Sequence, residues 1–67
     1  RKLLYDADFR KPTAIVMGAE DKGISKEVLK LCDEQLAIPL IGHTESLNVS
    51  AAAAIMLFEV VRQRIGD

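Results

Sequence analysis

The chain has 67 residues, 49% hydrophobic and 28% charged, with nine Lys and Arg against ten Asp and Glu for a net charge of −1. This is the composition of an ordinary soluble α/β protein; it excludes a disordered segment, and the near-neutral balance excludes a chain that grips nucleic acid through long-range charge of its own. At this length only about 60% of the unfolded surface can be buried, and one cysteine and one histidine supply neither a disulfide nor a structural metal site.

The fold is therefore expected to lean on a partner subunit or on further sequence. An opening at Arg1 reads as the C-terminal piece of a longer protein. The longest unbroken apolar run, residues 51–58, is closed by Glu59 and falls far short of the roughly 20 residues that span a bilayer. No secretory signal is visible, and a lone cysteine fits a reducing cytoplasm.

Residues 1–10, RKLLYDADFR, hold a short apolar patch (Leu3, Leu4, Tyr5) and then a turn-prone DAD, which reads as a strand end passing into a connector. Pro12 breaks the chain. Residues 13–17, TAIVM, form an apolar run without alternation, the pattern of a parallel strand covered on both faces. Gly18 ends it. Ser25 is placed to cap a helix, with Glu27 near the positive end of its dipole and Val28, Leu29, Leu31 and Cys32 on its apolar side; this helix should fade around Asp33. Residues 35–40, QLAIPL, are a second strand, and a separation of roughly 20 residues with a helix between is that of a βαβ crossover.

Ser46 or Asn48 caps the last helix, which runs to about Ile65 with Gly66 as its stop. It is apolar on nearly every side as far as Phe58 and turns polar at Glu59, Arg62, Gln63 and Arg64. A helix apolar all round must be covered all round, so part of it is expected to meet another subunit or other parts of the same protein.

In open parallel sheets, ligands bind beyond the carboxyl ends of the strands. Here those ends carry GAEDKG (residues 18–23) and IPLIGHTESLN (residues 38–48), two polar loops expected at one crevice. Gly18 and Gly23 permit backbone angles and close approaches that other residues forbid. GAEDKG has the glycine spacing of a phosphate-binding P-loop but not its chemistry: that motif needs Lys and then Ser or Thr directly after the second glycine, whereas Lys22 precedes Gly23 and Ile24 follows it. Pro39 has no N–H to give a ladder, so it marks where pairing stops and main-chain groups around Ile38 and Leu40 become free for a flat, donor- and acceptor-rimmed ring such as adenine. Ser46 and Asn48 read either as helix caps or as polar site residues. His43 and Cys32 have no partner at useful spacing and receive no role.

IVMGAEDKGIS followed by IPLIGHTESLNVSAAAAIMLFEVVRQR closely resembles the second and third motifs of the SpoU (TrmH-like) family of RNA 2′-O-ribose methyltransferases, members of the SPOUT superfamily. The likeness runs from about Leu3 to Arg64, with both motifs in order. It implies an α/β knot, a parallel-sheet fold whose C-terminal tail forms a deep trefoil knot, and a homodimer through the last helix. It also implies S-adenosyl-L-methionine as methyl donor and an RNA ribose 2′-hydroxyl as acceptor, in ribosomal or transfer RNA. Carried over position by position, Gly18, Ile38, Leu40 and Leu47 match the family's cofactor contacts, and Glu20, Ser46 and Asn48 its polar positions that support catalysis. The family's first motif, with an asparagine and an arginine, has no counterpart in these residues, so the 67-residue chain alone is expected to be inactive. The alternatives are a non-catalytic module that holds a nucleotide or adenosine-like ligand, and a dimerisation element whose loops are turns and nothing more.

Overall fold

The computed structural model describes residues 1–19, 22–40 and 48–66. Strand β1, Lys2–Leu3, pairs in parallel with β2, Leu36–Ala37, in the register Lys2 to Leu36 and Leu3 to Ala37. The Lys2 N–H donates to the Gln35 carbonyl at 3.1 Å, and Lys2 Nζ meets Glu34 Oε1 at 2.7 Å. Both side chains of that ion pair are 45% exposed, so it favours the register while contributing little stability. Parallel strands need a crossover between them, and this one contains helix α1, Lys26–Leu31.

The sheet differs from the one the sequence predicts. Residues 13–17, expected as a strand, form none among the described residues, and β1 is the partner of β2. An unalternating apolar run signals burial on both faces, but a strand exists only where another strand offers a ladder. Without one, Val16 and Met17 are exposed. β2 is also shorter than residues 35–40. Its partner leaves the ladder at Leu4 to enter a 3-10 turn, Leu4–Asp6, and Pro39 brings no donor for a further rung.

That 3-10 turn builds the core. Its closing bond, Ala7 N–H to the Leu4 carbonyl at 3.3 Å, turns Leu4 and Ala7 inward, and Phe9 follows; these three are the buried apolar residues, with Leu36, Ile38, Met56 and Val60 packed against them. The connector that the sequence marks as a strand end thus supplies the buried cluster of the described residues.

α1 starts as its residues dictate. Ser25 Oγ accepts from the Val28 N–H at 3.3 Å, and Cys32, in extended backbone, ends the helix with its N–H on the Leu29 carbonyl. Only Leu29 and Cys32 of its apolar side are half-buried, and Leu31 is 83% exposed. α2, Val49–Ile65, is capped by Asn48, whose Oδ1 accepts from the Ala51 N–H at 2.7 Å. It ends where expected, although Gly66 stays in right-handed backbone with φ −69°, so freedom from a Cβ is not what stops it.

In the C-terminal half of α2 the inner stripe comprises Met56, Glu59, Val60 and Gln63, at the spacing of one helix face. Two of the four are polar. Glu59 is buried and fully partnered: Arg62 donates to both carboxylate oxygens at 2.7 Å, and Gln63 Nε2 donates to Oε2 at 2.8 Å. Gln63 Oε1 accepts from the Phe9 N–H at 2.8 Å while Nε2 also donates to the Ala7 carbonyl at 2.9 Å. Arg64 donates to the carbonyls of Phe9, at 2.8 Å, and Lys11, at 3.0 Å. The polar end of α2 therefore holds the backbone of residues 7–11. Its outer face leaves Leu57, Phe58, Val61 and Ile65 exposed.

The hydrogen bond from Arg62, and after it that from Gln63, draw the Glu59 carboxyl from an ordinary 4.5 down to about 2, against the opposing effect of burial. A folded-state value below the unfolded one stabilises the fold at pH above about 4.5, and that contribution is lost as pH falls toward 2. Glu59→Gln removes this dependence. Urea midpoints measured between pH 5 and pH 2 are expected to fall more steeply for the unmodified protein than for the variant; parallel acid limbs would contradict this assignment.

Candidate functional site

The glycine-bearing loop folds back on itself at once. The Gly23 N–H donates to the Ala19 carbonyl at 2.8 Å, forming an isolated antiparallel bridge between the two residues. Its glycines are required for different reasons. A Cβ on Gly18 would lie 2.6 Å from the Gly23 carbonyl carbon and 2.7 Å from the Ile24 nitrogen. Gly23 has φ +67°, and a Cβ there would meet nothing within 4 Å. The first glycine lets two stretches of backbone touch; the second supplies left-handed backbone beside open space. Ser25 then caps α1 directly after the turn.

At the second loop, Ile38 is half-buried against the core, whereas Pro39 and Leu40 are exposed. All three lie beyond the last rung of the ladder at Ala37. Asn48 is the cap of α2, so the cap reading of this residue is realised in the structure. That task uses Oδ1. Glu20, Ser46 and Leu47 lie outside the described residues, as does His43.

Ile38 is placed by the same core that receives Phe9, and Asn48 begins the helix whose far end holds residues 7–11. No hydrogen bond among the described residues joins the Gly18–Gly23 turn to Ile38 or Leu40. No described helix is long and apolar enough to cross a membrane, and among the described residues no three His, Cys, Asp or Glu side chains gather as a metal site would require. Sequence reasoning missed Glu59, Gln63 and Arg64 as tertiary contacts. Their one available signal was Glu59 standing three and four residues before Arg62 and Gln63, a spacing at which helical side chains meet.

What the site offers a ligand is main chain. Gly23 presents left-handed backbone with, among the described residues, nothing within 4 Å of where a Cβ would stand, and Pro39 withholds a donor just beyond the last rung of the ladder. These features define a small α/β chain with a two-strand parallel sheet, with its candidate site in the loops that follow extended segments. Residues 1–58 match the SpoU rRNA Methylase family, and the chain belongs to that family.

Among curated proteins it is 52% identical over 60 residues to a tRNA (guanosine(18)-2′-O)-methyltransferase of Thermus thermophilus, covering 90% of this chain and 31% of that protein. It is 52% identical over 61 residues to a 23S rRNA (guanosine-2′-O-)-methyltransferase of Ralstonia nicotianae, covering 91% and 24%. Against a tRNA (guanosine(18)-2′-O)-methyltransferase of Escherichia coli the identity is 49% over 59 residues, covering 88% and 26%. The chain thus spans about a third of these relatives' length or less.

Proposed function

We propose that this chain is the C-terminal, donor-binding part of a SpoU-type domain in an RNA 2′-O-ribose methyltransferase acting on a guanosine of transfer or ribosomal RNA. The observation that carries the reading is the turn between Gly18 and Gly23, where two stretches of main chain touch at Gly18, and Gly23 carries left-handed backbone, in a chain whose relatives are named as guanosine 2′-O-methyltransferases. S-adenosyl-L-methionine, when bound, supplies an electrophilic methyl group. The main chain at Gly18, Ile38, Leu40 and Leu47 holds it.

The ribose hydroxyl is a very weak acid, so the site must align it and help its proton leave. Ser46 and the side-chain nitrogen of Asn48 orient donor and acceptor by hydrogen bonds. Glu20 anchors a cation or loop amides. The tail closes the domain as a deep trefoil knot, and the exposed outer face of α2, with Leu57, Phe58, Val61 and Ile65, is the surface through which two copies pair. The working compartment is the cytoplasm.

The test is transfer of a labelled methyl group from S-adenosyl-L-methionine to RNA by the intact protein, with the product mapped to a ribose 2′ oxygen. Binding of S-adenosylhomocysteine without transfer would leave a non-catalytic adenosine-binding module. The 67-residue chain alone is expected to turn over no substrate; robust turnover would contradict its reading as part of a site.

A further inference from the structure

We infer that Gln63 and Arg64 set the rotation of α2 about its own axis, and so decide which of its two apolar stripes meets the core and which is left for a second copy of the chain. The second half of the inference rests on the pairing of copies proposed above. The helix is docked by its less apolar side. In its C-terminal half the inner stripe holds two large apolar side chains, Met56 and Val60, interleaved with Glu59 and Gln63. The roughly opposite stripe, Leu57, Phe58, Val61 and Ile65, is apolar throughout and exposed, at the spacing of one helix face. The alanines at residues 51–54 follow one another around the whole circumference and favour neither side. Burial of apolar area alone would therefore turn the helix over.

What opposes that reversal is polar, and it lies in the segment the helix packs on. Gln63 Oε1 accepts from the Phe9 N–H at 2.8 Å and its Nε2 donates to the Ala7 carbonyl at 2.9 Å. Arg64 donates to the carbonyls of Phe9, at 2.8 Å, and Lys11, at 3.0 Å. Ala7 and Phe9 are themselves buried, and buried main-chain groups are costly to leave without partners. Leu57, Phe58, Val61 and Ile65 carry no polar side-chain atom, so the outer stripe has nothing to offer them. Glu59 does not make the choice, because Arg62 and Gln63 belong to the same helix and would turn with it. It aims the carboxamide instead. Only the NH2 of that group can donate to a carboxylate, so the contact with Glu59 Oε2 leaves Oε1 for the Phe9 N–H. Polar pairing thus selects the rotation, and the stripe richest in apolar side chains is kept outside.

The test uses Gln63→Leu in the intact protein, which keeps a side chain able to fill the inner stripe and loses its bonds to Ala7 and Phe9. In the unmodified protein the Met56 methyl should show nuclear Overhauser contacts to the cluster of Leu4, Ala7 and Phe9. In the variant those contacts are expected to divide between Met56 and Leu57 as two orientations become populated. A dimer needs both copies turned the same way, so if about one copy in three keeps the original rotation, the dimer Kd measured by sedimentation rises about tenfold. A residue that contributes stability alone would lower the urea midpoint while leaving the Met56 contacts undivided and the dimer Kd within about twofold of the parent, and that result would overturn the inference. Arg64→Met, which leaves Glu59 and Gln63 with their bonds, should turn a smaller fraction in the same way. Should Gln63→Leu fail to fold, undivided Met56 contacts in Arg64→Met overturn the inference. If the unmodified protein sediments as a monomer, the pairing reading fails, and the rotation is judged by the Met56 contacts alone: their division supports it, and their persistence unchanged overturns it.

Discussion

Replacing Gly18 by alanine is expected to lower the affinity for S-adenosylhomocysteine by an order of magnitude or more, with the protein still folded. The added Cβ would stand 2.6 Å from a backbone carbon and 2.7 Å from a backbone nitrogen, distances at which something must move. No flexible side chain is there to yield, so the two strands of the turn must part, and the bond from Gly23 to Ala19 at 2.8 Å must stretch or break. Gly23→Ala is a different perturbation: it meets no atom within 4 Å but places an L side chain at φ +67°, costing about 1–2 kcal/mol. Calorimetric titration of both variants of the intact protein should rank Gly18→Ala as the more damaging. Wild-type affinity in Gly18→Ala would show that the turn's closure is irrelevant to the donor.

Leu4→Ala should produce the largest loss of stability. Leu4 is 0% exposed and lies at the centre of a core whose other buried apolar members are Ala7 and Phe9. Truncating such a leucine costs about 2–5 kcal/mol through lost burial and the cavity left behind. A small domain has only about 5 kcal/mol or so to lose, so the packing of β1, β2 and α2 around this residue should no longer melt cooperatively. Leu31→Ala, at a leucine 83% exposed, should stay within about 0.5 kcal/mol of the parent. Urea denaturation followed by circular dichroism separates the two, and equal effects would mean that the buried cluster is not the stabilising core.

The parts of this fold that were legible in the sequence are those with local causes. Ser25 and Asn48 announce their helices because a side-chain oxygen can satisfy a free amide three residues on, and both do so. The partner of β2 was not legible, since an apolar run states that it will be buried and not beside which strand; residues 13–17 look more like a strand than Lys2–Leu3 does, yet β1 makes the ladder. Which residue of the Leu3, Leu4, Tyr5 patch turns inward was hidden for a similar reason, because the 3-10 turn rotates Leu4 alone into the core.

The polar end of α2 was the largest surprise in physical terms. Glu59 and Gln63 look like a solvated face until residues 7–9, more than fifty positions before Gln63, bring main-chain groups that pair with Gln63, which also holds Glu59. Of the candidate site, the demand for glycine at positions 18 and 23 was readable from the loop itself, and the structure gives each a separate cause. Asn48 was readable as a cap, and its Oδ1 fills that role. Convergence of the two loops depends on tertiary placement, which no local pattern encodes.

That convergence is the central claim, and amide chemical shifts of the intact protein during titration with S-adenosylhomocysteine test it most directly. The account predicts that the amides of Gly18, Gly23, Ile38, Leu40 and Asn48 shift together along one saturation curve. Shifts confined to one of the two loops, or none at either while the ligand binds elsewhere, would contradict it.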